Sequence, residues 1–230
     1  MDKTFDISYS FIFENNKSNQ FNISLHEKDL SIIMERRDEP PPWAKLKENQ
    51  CLNCTLKTAE MSHCPVAANL ADVAAEFRDC FSYENVQVTV TTRERTYSRT
   101  TSLQEGLSSL IGIIMVTSGC PVMDKLKPMV RFHLPFATLQ ETVFRMVSMY
   151  LMAQYFRKME GRLADWELKG LKKIYAEVGQ VNRDFAKRLI VAANKDANVN
   201  ALVNLDCFAT MVPMTAEGML SEIKGYFSAY

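Results

Sequence analysis

The sequence predicts an α+β protein, mainly helical, and three observations carry that expectation. Apolar and polar residues alternate strictly near the N-terminus and again around residue 88, the period of two that marks β-hairpins. Apolar residues at helical spacing fill most of the remaining chain. Proline, glycine and Ser/Thr capping signals divide that remainder into separate helices.

In chain order, Phe5, Ile7, Tyr9, Phe11 and Phe13 share one face of a strand. The polar run 14–19 turns the chain, and Phe21, Ile23 and Leu25 return in step, giving an N-terminal β-hairpin. The short apolar run 30–34 has no assignable structure. Behind it, Arg36, Arg37, Asp38 and Glu39 lead into Pro40, Pro41 and Pro42, a stiff polyproline spacer that marks a boundary. The organisation expected is a β-rich region 1–37, a cysteine-bearing helical core 43–160 and a C-terminal helical region 161–230. A helix over 66–81 places Val66, Leu70, Val73, Ala74 and Phe77 on one side. Val86, Val88 and Val90 alternate with Gln87, Thr89 and Thr91, and the polar run 93–99 containing Tyr97 completes a second, short hairpin. Thr101 or Ser102 caps the next helix, with Ser102 and Glu105 spaced as a capping box, and Gly119 ends it. Its second half, 110–116, is apolar all round and therefore buried.

Pro128 and Pro135 bracket a connection expected to be non-helical. Thr138 and Glu141 form a further capping box, opening a helix that runs to about residue 159. That helix carries too many apolar residues for one stripe, so it is either a central core helix or meets a partner, and a homodimer through it or through the hairpin edge is expected. From residue 161 the pattern reads as three or four shorter helices. One apolar line runs through Trp166 or Leu168, Leu171, Tyr175 and Val178, and another through Val181, Phe185 and Leu189. Polar residues at 194–200 interrupt the run, Val199, Leu202 and Val203 restart it, and Pro213 stops it.

The chain has 230 residues, with 27 basic and 27 acidic side chains. Its formal net charge of zero leaves no basic footprint for nucleic acid and no field toward anionic lipid. The N-terminus lacks the pattern of a secretory signal, and the apolar run 110–116 is too short to span a bilayer. A soluble, cytoplasmic protein is expected, where cysteines serve metal or redox chemistry more often than structural disulfides.

Four of the six cysteines are spaced as a ligand set. Cys51 and Cys54 form a Cys-x2-Cys pair, Cys64 follows locally, and Cys120 arrives from the end of a distant helix. Cys64-Pro65-Val66 and Cys120-Pro121-Val122 open helices alike, each with a leucine, Leu70 or Leu126, six residues after the cysteine. A thiolate at such an N-cap is stabilised by free N-H groups, and metal ligation needs the thiolate. The occupant is an iron-sulfur cluster, with the four-iron type favoured, or zinc. A zinc ribbon wants a second Cys-x2-Cys knuckle, which the sequence lacks, whereas Cys-Pro endings occur in ferredoxin-type ligand runs. Cys80 and Cys207 have no spaced partner and fit buried or incidental thiols. His63 beside Cys64, and Arg131 and His133 shortly after Cys120, are candidates for an outer layer around the centre. For His133 the alternative is a histidine bonded to a carbonyl at a helix corner. Met146, Met149, Met152 and Met159 read as core filling rather than a copper site.

The stretches 41–46, 51–54, 63–67 and 118–138, with their Cys-x2-Cys, His-Cys-Pro and Ser-Gly-Cys-Pro motifs, resemble an uncharacterised bacterial family, a domain of unknown function. The resemblance covers most of 5–157 and implies a bacterial cytosolic protein whose ligand cysteines match position by position. It implies no activity. Phosphate loops, nucleophile elbows and zinc-protease motifs are absent from the sequence. The expected function is therefore a cysteine-ligated centre serving sensing, regulation or assembly. A redox or thiol enzyme using the same centre and a structural zinc module of an interaction protein, with a protein partner, are the alternatives.

Overall fold

The computed structural model describes residues 3–33 and 39–229. The charged residues 36–38 of the expected boundary lie outside these, as does Met34 at the end of the unassigned apolar run.

Five antiparallel strands form one sheet in the order β3-β2-β1-β4-β5. They are β1 (Thr4–Phe13), β2 (Ser18–His26), β3 (Ile32–Ile33), β4 (Asn85–Thr92) and β5 (Thr96–Ser102). Both expected hairpins are present, and the run around residue 32 adds a short edge strand. β1 pairs with β2 in the register Tyr9↔Phe21 and with β4 in the register Phe11↔Val88. The chain before the prolines and the chain after them therefore share one sheet. The alternation works as pleating requires: Ile7, Tyr9, Phe11, Val86, Val88 and Val90 are buried on one face.

Helices cover that face. The first is α1 (Pro65–Glu76), shorter than the expected 66–81 because Phe77 leaves the helical conformation, with φ −101° and ψ 14°. Phe77 nevertheless packs on the sheet, its ring centroid 5.2 Å from that of Phe11. The next, α2 (Leu103–Thr117), lies between the sheet and the C-terminal helices, and its 110–116 half is buried apart from Gly112. Gly106 makes the close approach possible: a Cβ there would sit 2.7 Å from a Val88 methyl and 3.0 Å from the Phe11 ring. At its other end α2 stops at Gly119, whose φ of +83° continues the chain out of the helix. The expected Ser102–Glu105 box is not formed. Thr101 donates its hydroxyl to Glu105 instead, and Ser102 caps with backbone geometry only.

Part of the connection expected to be non-helical is a single helical turn, α3 (Pro128–Arg131), because proline is compatible with a first turn. The following helix, α4 (Leu139–Met159), opens with the expected Thr138–Glu141 capping box. Its core face carries Val143, Met146, Val147 and Tyr150, while Phe144, Met152, Tyr155, Phe156 and Met159 are exposed on the other side. The C-terminal region holds two long helices, α5 (Lys169–Ala192) and α6 (Ala197–Ile223), rather than three or four short ones. Pro213 lies inside α6 and does not stop it. Burial of Ala209, Val212 and Ala216 on both sides of the proline holds the helix through the lost backbone hydrogen bond. Among the described residues no helix is long and apolar enough to cross a membrane.

Candidate metal centre

Residues 45–64 carry little regular structure and are held by a few specific bonds. Leu46 N-H donates to the Ser62 carbonyl at 2.9 Å, and Cys64 N-H to the Ala44 carbonyl at 2.8 Å, which closes the segment into a loop. Cys54 N-H donates to the Cys51 carbonyl at 3.0 Å, folding the Cys-x2-Cys pair into a tight turn. One face of α5 receives that turn. Asp184 accepts the Leu52 N-H at 2.9 Å, and the Asn53 side-chain amide donates to the Glu177 carbonyl at 2.9 Å. A turn later, the Arg188 guanidinium donates to the carbonyls of Trp43 at 2.5 Å and Lys45 at 2.8 Å.

This scaffold brings Cys51, Cys54, Cys64 and Cys120 to the wall of one small cavity of about 20 Å³. Val66, Pro121, Val122, Val181 and Phe185 make the rest of the wall largely apolar, and Arg188 is the one charged lining residue. Arg188 was not foreseen in the sequence. It is 1% exposed, lies among backbone carbonyls, and its Nε is buried with no partner. Nothing in its surroundings along the chain marks it, because its partners lie more than a hundred residues away.

The twin Cys-Pro-Val openings are used alike, though not in the same kind of helix. Cys64 is the N-cap of α1, whereas Cys120 precedes a 3-10 turn at Met123–Leu126. The N-H groups of Ala67 and Val66 pull the Cys64 thiol pKa down, and those of Met123 and Val122 do so for Cys120. The expected N-H stabilisation of the thiolate is thus present, but burial outweighs it and pushes both thiols up. Cys51 is pushed up to about 12, by burial first and then by the neighbouring Cys64, Asp184 and Cys120. Arg188 acts in the opposite sense on Cys64. Burial thus favours the thiol over the thiolate at Cys51, Cys64 and Cys120.

None of the three outer candidates lines this cavity. His63 Nδ1 lies 2.8 Å from the Ser62 hydroxyl. Arg131 sits over the Phe5 ring at 4.6 Å and 3.8 Å from Glu94. His133 belongs to a separate buried network, its Nε2 2.6 Å from the Tyr9 hydroxyl and 3.3 Å from that of Ser109. Cys80 lies in the turn beyond α1, Cys207 is exposed on α6, and all six cysteines are free. Among the described residues, no three or more His, Cys, Asp or Glu side chains are gathered closely enough to hold a single metal ion.

Fold and site together define an α+β protein that brings three local cysteines and one from a distant part of its sequence to the wall of one small cavity beside a buried arginine. The family model described as a domain of unknown function (DUF6901) matches residues 7–228, and the chain belongs to that family. The match extends past residue 157 through α5 and nearly all of the C-terminal region. No curated protein and no solved structure matches the chain.

Proposed function

We propose that the protein holds an iron-sulfur cluster, of the four-iron type, on Cys51, Cys54, Cys64 and Cys120, and that this centre serves sensing, regulation or assembly. The observation that carries the reading is that the fold brings all four cysteines, one Cys-x2-Cys turn and two Cys-Pro openings, to the wall of one small cavity. A zinc ribbon would use a second Cys-x2-Cys knuckle, whereas Cys-Pro endings occur in ferredoxin-type ligand runs, so the ligand set favours a cluster over a single zinc.

When bound, a cluster supplies electron transfer and sensitivity to oxidant. The chain's own residues do the rest. Cys64 and Cys120 sit where backbone N-H groups face their sulfurs, and Arg188 supplies the positive charge that four thiolates would otherwise lack. The apolar wall limits solvent access. A thiol enzyme is less well supported, since Cys51 and Cys54 lie in a turn and not at the start of a helix that follows a strand. The free thiols accord with a reducing, cytoplasmic setting. Self-association through the exposed apolar side of α4 belongs to the same reading.

The test is purification without oxygen, followed by visible absorption and assay of iron, sulfide and zinc. The expected result is a brown protein with about four irons per chain. Serine at any of the four cysteines bleaches it, while Cys80→Ser and Cys207→Ser do not. A colourless protein with one tightly held zinc would replace this reading by the structural zinc module. Full iron content in Cys120→Ser would refute the ligand set.

A further inference from the structure

A second cavity, of about 420 Å³, lies between α2, α4, α5 and α6, and the cysteines take no part in it. Its size falls in the range of roughly 300–1,000 Å³ that takes small organic ligands. Apolar side chains such as Ile113, Val116, Phe136, Phe208 and Val212 make up much of the wall.

The polar groups in this wall are few and under-satisfied. Arg145 is a half-buried residue of α4 on the side away from Val143 and Val147, and its Nη2 donates to the Met129 carbonyl at 3.0 Å. Its Nε is buried without a partner; among the described residues no carboxylate lies in ion-pair contact with it, and Glu141, one turn earlier on α4, acts on it only at longer range. Burial pushes its pKa down, the mark of a cation whose lost hydration is not replaced. Tyr175 is also buried, and its hydroxyl has only the Met129 thioether sulfur, at 3.8 Å, as a weak acceptor. Both donors thus reach the same residue, Met129, and meet at one end of the cavity. Further along α5, Asn182 is 2% exposed with its amide oxygen unpartnered. A folded chain rarely leaves a guanidinium, a phenol and an amide so poorly paired around one void.

The charge of the wall narrows the ligand. Arg99 and Arg145 are basic and Glu105 is acidic, so two positive charges and one negative leave one positive charge in excess. His133 adds none at neutral pH, because burial pulls its pKa down to about 3. Arg99 and Glu105 stand exposed, while Arg145 is the more deeply placed cation. A half-buried cation without an ion-pair contact, flanked by a phenol donor, suits an acceptor-only monoanion, and the apolar wall suits an aliphatic or aromatic body.

We propose that this cavity binds a small monocarboxylate carried on an apolar body, the carboxylate held by Arg145 and Tyr175 beside Met129.

Decanoate and 1-decanol, which share an alkyl chain and differ in charge, are the probes, titrated into the full-length protein by calorimetry. Decanoate is expected to bind at least about tenfold more tightly than decanol, the scale of a buried charge-assisted pair. In Arg145→Met the two affinities converge, and in Tyr175→Phe decanoate weakens several-fold while decanol does not change. Equal affinities in the unmodified protein, or no decanoate binding, would overturn the proposal whatever the variants do. Preference for decanoate that survives intact in a folded Arg145→Met would overturn it as well. Should that variant fail to fold, Tyr175→Phe, which keeps the ring and the packing, decides the carboxylate contact.

Discussion

Arg188 and His133 show what a single side chain does here when it is buried far from its sequence neighbours. Arg188 satisfies the carbonyls of Trp43 and Lys45 and faces the cysteine cavity, so it holds the loop shut and would offset thiolate charge in the proposed centre. Arg188→Met, which keeps much of the volume, is expected to cost about 3 kcal/mol by leaving those carbonyls unpaired, read as a lower denaturation midpoint, and to reduce iron content. A variant as stable and as well loaded as the parent would show that the carbonyls find other donors. His133 makes a separate prediction about pH. Its folded pKa is pulled down to about 3 by burial, then by Arg145, against about 6.5 when unfolded. The unfolded chain binds the extra proton, so the stability from keeping His133 neutral is complete above pH 6.5 and is lost as pH falls toward 3. Between pH 7.5 and pH 5 the loss is about 2 kcal/mol, and His133→Gln should lack that part of the decline in parallel denaturation curves. Cys-Pro-Val pairs could be read from sequence because spacing alone exposes them. Arg188 and Arg145 could not, since their roles come from which distant carbonyls and voids the fold sets beside them.

Elements built on local periodicity were the most legible. Alternation identified β1, β2 and β4, and the capping residues Thr138 and Glu141 located the start of α4. The C-terminal helices were less so, because the local breaking signals at 194–200 and Pro213 compete with packing that only the assembled fold supplies. One break is genuine, at 193–196 between α5 and α6, and the other is overridden. Packing also fixes the distance between layers. Gly106→Ala would press a methyl into Val88, and a loss of about 1–3 kcal/mol is expected from overpacking between α2 and the sheet, measured by chemical denaturation. Unchanged stability would mean that α2 can move away from β4 freely. On α4 the two apolar sides lie nearly opposite each other, one in the core and one exposed through Phe144, Met152, Tyr155, Phe156 and Met159. A dimer is expected through the exposed side, and Tyr155→Glu with Met159→Glu should convert it to a monomer in light scattering. A parent protein that is already monomeric at micromolar concentration would remove the idea.

At the scale of the whole molecule, α5 is a wall common to both cavities. Val181, Phe185 and Arg188 face the cysteines, while Tyr175, Val178 and Asn182 face the larger void. The turn after Cys120 is shared in the same way, with Val122 on one side and Met123 on the other. A change at the proposed centre would therefore act on elements that also shape the second cavity, which is the physical requirement for coupling two sites. β1 and β4 line neither cavity, and their own ladders and the aromatic contacts of Phe11 and Phe77 hold them. Stripping the centre with oxidant and chelator should then have a local signature in hydrogen exchange. The Leu52 amide loses the neighbouring turn that holds it on Asp184, and residues 45–64 exchange faster together with the α5 amides around 177–188. Amides of β1 and β4 keep their protection. Protease cleavage should appear first in 45–63, where few backbone bonds hold the chain, and decanoate affinity should fall in the same preparation. Loss of protection spread equally over sheet and helices would mean that the centre supports global stability alone, as a structural site does. Protection unchanged everywhere would mean that the loop stands without its centre, and the sensing role would fall.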